Sequence, residues 1–353
     1  MHQAVQDCLA PFGGARGILG QGRHVALKPN LLMPHAPQLA TCTHPAVIEA
    51  VADAFVQVGA RVTVCESPGG PYSASLLALL YRVCGLSHLK DNPHIMLNMD
   101  TRVQETACPQ GRVVKEMSLI APLLEADLII SIAKAKTHGL ACYSGAVKNL
   151  FGAVPGLTKA ALHGKYPDLD DFFGMLVDVC ERLAPAFSFI DAIEGMEGNG
   201  PSGGTPKKLG ALIAAPNPHA ADMAAVDLMG LVPRMVLTLR EGIKRGLIVR
   251  SPDELTWMGD DPAALRTRFA LARPNQKGGW AFFTPKPLRR LIHKFTAPYP
   301  VVAERCVGCG DCARICPKQC IHIGDGQKAR IDTNQCMRCY CCHEICPVQA
   351  IDL

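Results

Sequence analysis

Eight cysteines near the end of the chain constrain it more than any other feature. They read Cys306-x2-Cys309-x2-Cys312-x3-Cys316-Pro317, then Cys336-x2-Cys339-x2-Cys342-x3-Cys346-Pro347. Three thiolates at that spacing reach three corners of one iron–sulfur cubane, and the fourth is carried across to the other. The pattern therefore predicts two [4Fe–4S] clusters. Cluster I takes Cys306, Cys309, Cys312 and Cys346, and cluster II takes Cys336, Cys339, Cys342 and Cys316. A protein-bound cubane stores one electron, so electron transfer is the implied function.

The two runs form an internal repeat offset by 30 residues. Ile315 aligns with Ile345, Gln319 with Gln349 and Ile321 with Ile351. Cys320 falls opposite Ala350, a small packed position, and Cys341 breaks the x2 spacing that Cys342 keeps. Both are expected to be free thiols rather than ligands, since a buried free cysteine behaves as a small hydrophobe. The rival reading is zinc, which C-x2-C pairs also hold, but two full runs with both prolines disfavour it.

The chain has 353 residues, enough for two or so domains. No apolar run reaches the roughly 18–20 residues of a membrane helix; the richest, 118–133, contains Glu125 and Asp127. The first residues, MHQAVQDCLAPF, lack the basic and apolar regions of a signal peptide. Seventeen cysteines without one suggest a reducing compartment, and oxygen-sensitive clusters suit an anaerobic cytoplasm. The formal charge of +5 overstates the basic character, because eight cluster thiolates outweigh the iron charge. With no sustained basic run, nucleic acid is not an expected partner. A redox partner protein or a small anionic substrate is, and a homo-oligomer is compatible with the sequence.

From about residue 18 to 230 apolar strands alternate with helical stretches, which predicts an α/β layer structure with a mainly parallel sheet. Strands are expected at 24–32, 61–67, 127–134, 186–192 and 209–215, and helices at 44–60, 117–126, 168–183 and 221–232. The expected division is an α/β domain over 1–234, a helical or irregular connecting segment over 235–300 packed on it, and a small α+β ferredoxin-like dicluster domain over 301–353. Within the connector, 287–295 (PLRRLIHKF) reads as a basic docking segment carrying Arg289, Arg290 and Lys294.

Polar residues of the large domain collect at strand ends, where α/β folds place ligands. Lys28, Lys136 and Lys148, with His138, Asn30 and Asn149, are suited to an anion pocket, lysine acting as a point charge. Lys136, His138 and Lys148 are the candidate catalytic residues. Lys28, Asn30, Asn149, Glu197, Asn199 and Gly200 are the candidates for holding substrate or cofactor. The glycines of 195–204 could form an anion nest. Asp191, Glu194 and Glu197 could bind a hard cation or serve as acid and base. The bland alternatives are solvated lysines, a flexible loop and exposed acids. No phosphate-binding G-x-x-x-x-G-K-[ST] loop is present.

In order, KPNLL, THP, KTH, SGAVKNLFG and DAIEGMEGNGPSGG resemble the uncharacterised family of domain of unknown function 362, over about residues 22–230. That resemblance implies the α/β domain, and family members often carry a C-terminal ferredoxin module; it is nearly silent on the reaction. Relatives usually open with a strand, whereas this chain opens on helix-like AVQDCLAPF, so that strand is expected to be missing or replaced. The expectation is an iron–sulfur oxidoreductase, cytoplasmic, that passes single electrons to a small anion in the α/β domain. The alternatives are an electron relay serving a partner protein and a non-redox enzyme with structural or sensory clusters.

Overall fold

Short apolar runs rich in Val, Ile, Leu and Ala build the centre of the molecule, as expected of strands buried on both faces. The computed structural model describes residues 1–278, 284, 296–324 and 328–353. The strands in chain order are β1 (His24–Pro29), β2 (Arg61–Val64), β3 (Ile95–Leu97), β4 (Val103–Ala107), β5 (Glu116–Ile120), β6 (Leu128–His138), β7 (Cys142–Ser144), β8 (Phe187–Glu197) and β9 (Thr205–Ala215). The main sheet runs β3-β2-β1-β6-β8-β9, parallel from β3 to β8, with β9 antiparallel at the edge. β7 turns back on the far end of β6. The chain winds outward from β1 to β3 and then crosses to β6 on the other side of β1. The switch point of the sheet therefore lies between the C-terminal ends of β1 and β6.

Helices α1 (His2–Leu9), α2 (Gly14–Leu19), α3 (Pro45–Val56) and α4 (Ala74–Val83) contribute to one core. There Val5, Val51, Phe55 and Leu80 pack with Leu27, Ile132 and Phe189 of the sheet. A single turn α5 (Ala121–Leu124) precedes β6; α6 (Ala146–Asn149), α7 (Thr158–Lys165) and α8 (Leu169–Leu183) follow β7. Phe172, Leu176 and Leu150 join the β4–β5 hairpin, Ala26 and Ile129 in a second core. α9 (Pro218–Leu228) and α10 (Leu237–Arg245) close a third core at β8 and β9. Each fully buried Leu, Ile, Val or Phe contributes about 1.5–3 kcal/mol by leaving water.

α8 shows how the sequence starts a helix. The Asp168 carboxylate accepts from the backbone N–H groups of Asp170 and Asp171, and those two acids sit at the positive end of the helix dipole. Its Asp178 is buried and accepts from the N–H groups of Arg112, Val113 and Val114, while Arg245 of α10 donates to it at 2.6 Å. α8 thus holds both the 112–114 turn and α10.

The small domain shows the repeat in its backbone. Short helices span Asp311–Ile315 and Cys341–Ile345. Two-stranded ladders pair β10 (Val301–Val302) with β13 (Ile351–Asp352) and β11 (Ile321–Ile323) with β12 (Ala329–Ile331). Left-handed residues recur at the 30-residue offset: Gly308 and Arg338, Gly310 and Tyr340, Gln319 and Gln349. The first half uses glycine at two of these positions, where the conformation carries no side-chain penalty. The second half holds Arg338 and Tyr340 there by external contacts: Arg338 donates to the Ala297 carbonyl at 3.0 Å, and the Tyr340 hydroxyl to that of Pro298 at 3.0 Å.

Two expectations need correction. Residues 117–120 form the second strand of the β4–β5 hairpin, not the start of a helix, and only 121–124 turn helically. The partner segment, Val-Gln-Glu-Thr-Ala, shows little apolar patterning, so the pairing left no trace in composition. The strand expected to stop at Lys134 runs on to His138, because β7 and β8 continue to pair with it. The basic segment 287–295 lies outside the described residues. Among the described residues no helix is long and apolar enough to cross a membrane.

Asp178→Ala is expected to lower stability by about 2–4 kcal/mol, since it strips three N–H groups of their shared acceptor and leaves Arg245 with only the Glu181 and Glu241 carboxylates. Urea unfolding followed by circular dichroism measures this.

Candidate functional site

β1 ends in Lys28-Pro29 with a fully buried Lys28 side chain. An ammonium there needs a partner, because an unpaired buried charge is costly. Glu66, just past the end of β2, supplies it at 2.8 Å. The same carboxylate accepts from the N–H groups of Leu31 and Ser67 at 2.8 and 2.9 Å. Burial pushes the Glu66 carboxyl upward, and the Lys28 ammonium opposes this. Asn149 of α6 donates to the Lys28 carbonyl at 2.8 Å and to Ser131 Oγ of β6 at 3.0 Å, bridging the two strands at the switch point. Gly152 passes so close that a Cβ there would lie 2.5 Å from Lys28 Nζ, which is why the segment needs glycine.

Lys136 follows on β6. Its Nζ donates to Asn30 Oδ1 at 2.7 Å and to the Thr41 carbonyl at 2.8 Å, both uncharged acceptors. Burial pushes this ammonium down to about 7; Lys148 and Lys134 act the same way, while Cys42 and Glu344 oppose. α6 is placed by Asp222 of α9, which accepts from the N–H groups of Ala146 and Val147 and from the Tyr143 hydroxyl. α6 in turn presents Lys148, which is half-buried and has no hydrogen-bond or ion-pair partner among the described residues. Lys159 of α7 donates to the carbonyls of Ser67 and Pro68, and burial pushes it too down to about 7.

These groups line one cleft with about 740 Å3 of space free of protein atoms. Its floor and walls carry Lys28, Asn30, Glu66, Lys136, Lys148 and Lys159, and Asn149 and His163 also face it. Its roof comes from the small domain: Ile315, Cys341, Glu344 and Ile345. Further contacts seat that domain. His343 is within hydrogen-bonding distance of the Asn199 carbonyl at 2.9 Å, Gln349 donates to the Ser202 carbonyl at 2.8 Å, and Tyr340 and Leu353 enter the second core.

His138 stands behind Glu344. The N–H groups of Leu140 and Ala141 both donate to its Nδ1, at 3.0 and 3.2 Å, so the ring proton belongs on Nε2. Nε2 faces Glu344 Oε1 at 3.2 Å, off the line of a good hydrogen bond, and is otherwise without a partner. Burial pushes His138 down to about 4, so the imidazole is neutral near pH 7. Burial works against the Glu344 charge, but His138 and Lys148 outweigh it and hold the carboxyl below its usual range.

The structure thus gathers Lys28, Asn30, Lys136, Lys148 and Asn149 around one cleft, with His138 one residue back. Glu197, Asn199 and Gly200 go elsewhere. Glu197 pairs with Lys207 at 2.8 Å and accepts from Ala270 N–H, the Asn199 side chain accepts from Arg273 N–H, and Gly200 is buried against Thr137. Of that loop only Pro201 reaches the cleft. The three acids of β8 do not converge either: Asp191 pairs with Lys134 at 2.8 Å and Glu194 is exposed. Sequence reasoning missed Glu66, Lys159, His163 and Glu344. Glu66 alone had a signal, an acid at the end of an apolar strand before Pro-Gly-Gly.

In the small domain the cysteines sort into two nearly equal cavities. One, of about 320 Å3, is lined by Cys306, Cys309, Cys312 and Cys346; the other, of about 330 Å3, by Cys316, Cys336, Cys339 and Cys342 with Cys320 and Cys341 beside them. Each set combines three cysteines of one run with the fourth of the other, which fits a cubane in each cavity. The N–H groups of Ala329 and Ala350 point at the sulfurs of Cys306 and Cys346, at 3.5 and 3.1 Å. Cys309 is exposed and Val307 near it is 66% exposed, so the first cavity faces solvent, while Cys341 lines both the second cavity and the cleft. Cys320 lies 3.5 Å from the sulfur of Cys316.

An α/β domain with a lysine-lined cleft at its switch point and a fused dicluster domain define the class. Residues 25–227 match domain of unknown function 362, and the chain belongs to that family. Residues 305–350 match a 4Fe-4S dicluster domain. A thylakoid-associated protein of Synechocystis sp. is 29% identical over 282 residues, covering 77% of this chain and 79% of that one. Among solved structures, the lactate racemase apoprotein of Thermoanaerobacterium thermosaccharolyticum is similar at a TM-score of 0.38 and 13% identity, over 54% of this chain and 48% of that one. A Thermotoga maritima protein is similar at 0.35 and 12%, over 61% and 54%. The match thus spans about half the length of these solved chains, and likeness at this level bears on neither chemistry nor ligand.

Lys28→Met is expected to cost about 3–5 kcal/mol by stranding Glu66, and Lys28→Met with Glu66→Gln to recover part of it. Thermal unfolding of the two variants checks the order.

Proposed function

We propose that this protein is an iron–sulfur oxidoreductase that binds a small anion in the cleft and reduces it, or oxidises it, by single electrons. One observation carries the reading. The cleft roof is made of Ile315, Cys341, Glu344 and Ile345, residues interleaved with Cys316, Cys342 and Cys346. A cubane held by Cys316, Cys336, Cys339 and Cys342 would supply electrons one residue behind that roof, and its counterpart would stand at the solvent face beside Val307. The chain's own groups do the rest. Lys136 and Lys148 hold and orient the anion, Asn30 fixes the Lys136 ammonium, and the apolar walls exclude water. His138 stands behind Glu344, with its Nε2 3.2 Å from that carboxylate. A pure relay between partner proteins would leave the lysines without a task. A reducing, anaerobic cytoplasm suits such a protein, and Cys320 and Cys341 serve it as free thiols.

Anaerobically prepared protein is expected to contain about eight iron and eight sulfide per chain, and stoichiometric zinc without sulfide would refute the cluster assignment. Protein reduced with dithionite and freed of excess reductant is then mixed with a panel of small carboxylates and phosphate esters. Cluster absorbance should recover with at least one member and not with Lys136→Met. Recovery with none of the panel, but with an added electron-carrier protein, would favour the relay.

A further inference from the structure

We propose that the cleft is built for a small molecule carrying two negative charges, a short dicarboxylate or a phosphate monoester, and that Lys148 reads the second charge. This rests on the reading that the cleft holds an anion, and it concerns which anion.

The argument is one of charge. Four lysines and two glutamates face the cleft. Lys28 is neutralised in contact by Glu66. Counting only the side chains that line the cleft, with Glu344 ionised and all three lysines protonated, Lys136, Lys148 and Lys159 leave two positive charges in excess. The cleft has little means of spreading them. Lys136 and Lys159 donate only to uncharged oxygens of Asn30, Thr41, Ser67 and Pro68, and Lys148 donates to nothing among the described residues. Like charges in a desolvated space oppose one another. Lys148 stands at the centre of that opposition, since its charge depresses Lys136, Lys159, His138 and His163 alike. Lys136 also faces Cys42, Lys134 and Glu344, and Lys159 faces Glu66 and Lys28, whose charges cancel in contact.

A ligand with one negative charge would leave one lysine uncompensated. A ligand with two would neutralise the excess and restore full protonation to Lys136 and Lys159. Ligand size follows from the walls: Leu31, Phe151 and Ile345 add apolar lining to the lysines, so the two charges belong close together on a short body.

Binding should therefore take up protons. Both lysines sit at about 7 without ligand, and a bound dianion raises them. Above pH 7 the empty cleft has lost protons that the occupied cleft keeps, so affinity falls as pH rises and proton uptake approaches roughly two near pH 8.5. Below about pH 6 both states are protonated and uptake vanishes.

The test is isothermal titration calorimetry of the intact, cluster-loaded protein under anaerobic conditions, in two buffers of different ionisation enthalpy. The probes are succinate and glycerol phosphate, with butyrate and monomethyl succinate as singly charged controls. One dianion should bind roughly tenfold or more tightly than either control, and the preferred one tells dicarboxylate from phosphate ester. Lys148→Met should weaken dianion binding by about tenfold and change control binding by less than about threefold, whereas Lys148→Arg should keep the discrimination. Cluster absorbance and circular dichroism of both variants should match the parent. Equal binding of dianions and controls, no binding of either dianion, or equal losses in Lys148→Met would each overturn the proposal. Heat of binding is read without electron transfer. A cleft that binds dianions in a protein no anion re-oxidises would refute the redox reading and leave this one standing; re-oxidation by singly charged substrates alone would do the reverse.

Discussion

The cleft depends on the contact between Lys28 and Glu66. Both side chains are buried, and taking either charge out of water alone would be prohibitive. Paired, they act as a brace. Glu66 gathers the N–H groups of Leu31 and Ser67, so the turns after β1 and β2 are held by one carboxylate. Lys28 gives a further bond to the Pro29 carbonyl. Asn149 then ties β1 to β6, and Gly152 leaves room for the Lys28–Glu66 pair beneath it. Lys159 is held beside this floor by the carbonyls of Ser67 and Pro68, the residues that follow Glu66.

Much of the architecture was legible in the residues. The duplicated cysteine spacing gave the small domain, and the repeat returned in the backbone as paired left-handed residues at Gly308 and Arg338. The parallel sheet followed from near-continuous apolar runs such as 127–134. The 117–120 strand was not legible, because its partner at 103–107 is polar and the pairing is tertiary. Within the cleft, Lys28, Lys136 and Lys148 were visible as charges at or just past apolar strands, although the structure puts Lys136 inside β6 and Lys148 on α6 rather than in turns. Glu344 was invisible for the opposite reason. It sits among cluster cysteines whose spacing explains the whole segment, and only docking of the small domain brings it to His138. Glu197 and Asn199 misled in turn: a glycine-rich acidic stretch reads as a ligand loop, yet its polar groups fasten 268–273 to the sheet.

The two domains are joined by polar and apolar contacts of different kinds. His343, Ser202 and Gln349 exchange hydrogen bonds with backbone, which fix orientation. Tyr340 and Leu353 fill the core beneath Leu140 and Ala141 and supply area. At Gly139 a Cβ would lie 2.9 Å from the Leu353 side chain, so the β6–β7 turn is shaped to receive the last residue of the sequence.

The helix Cys341–Ile345 serves both domains at once. The same five residues, with Cys346 next to them, carry sulfurs assigned to both metal cavities and three of the four groups that cover the cleft. Their backbone is therefore shaped by whatever fills those cavities. Whatever orders the two cavities therefore also orders the covering of the lysine-lined cleft, so the two halves of the chain are coupled through one five-residue helix.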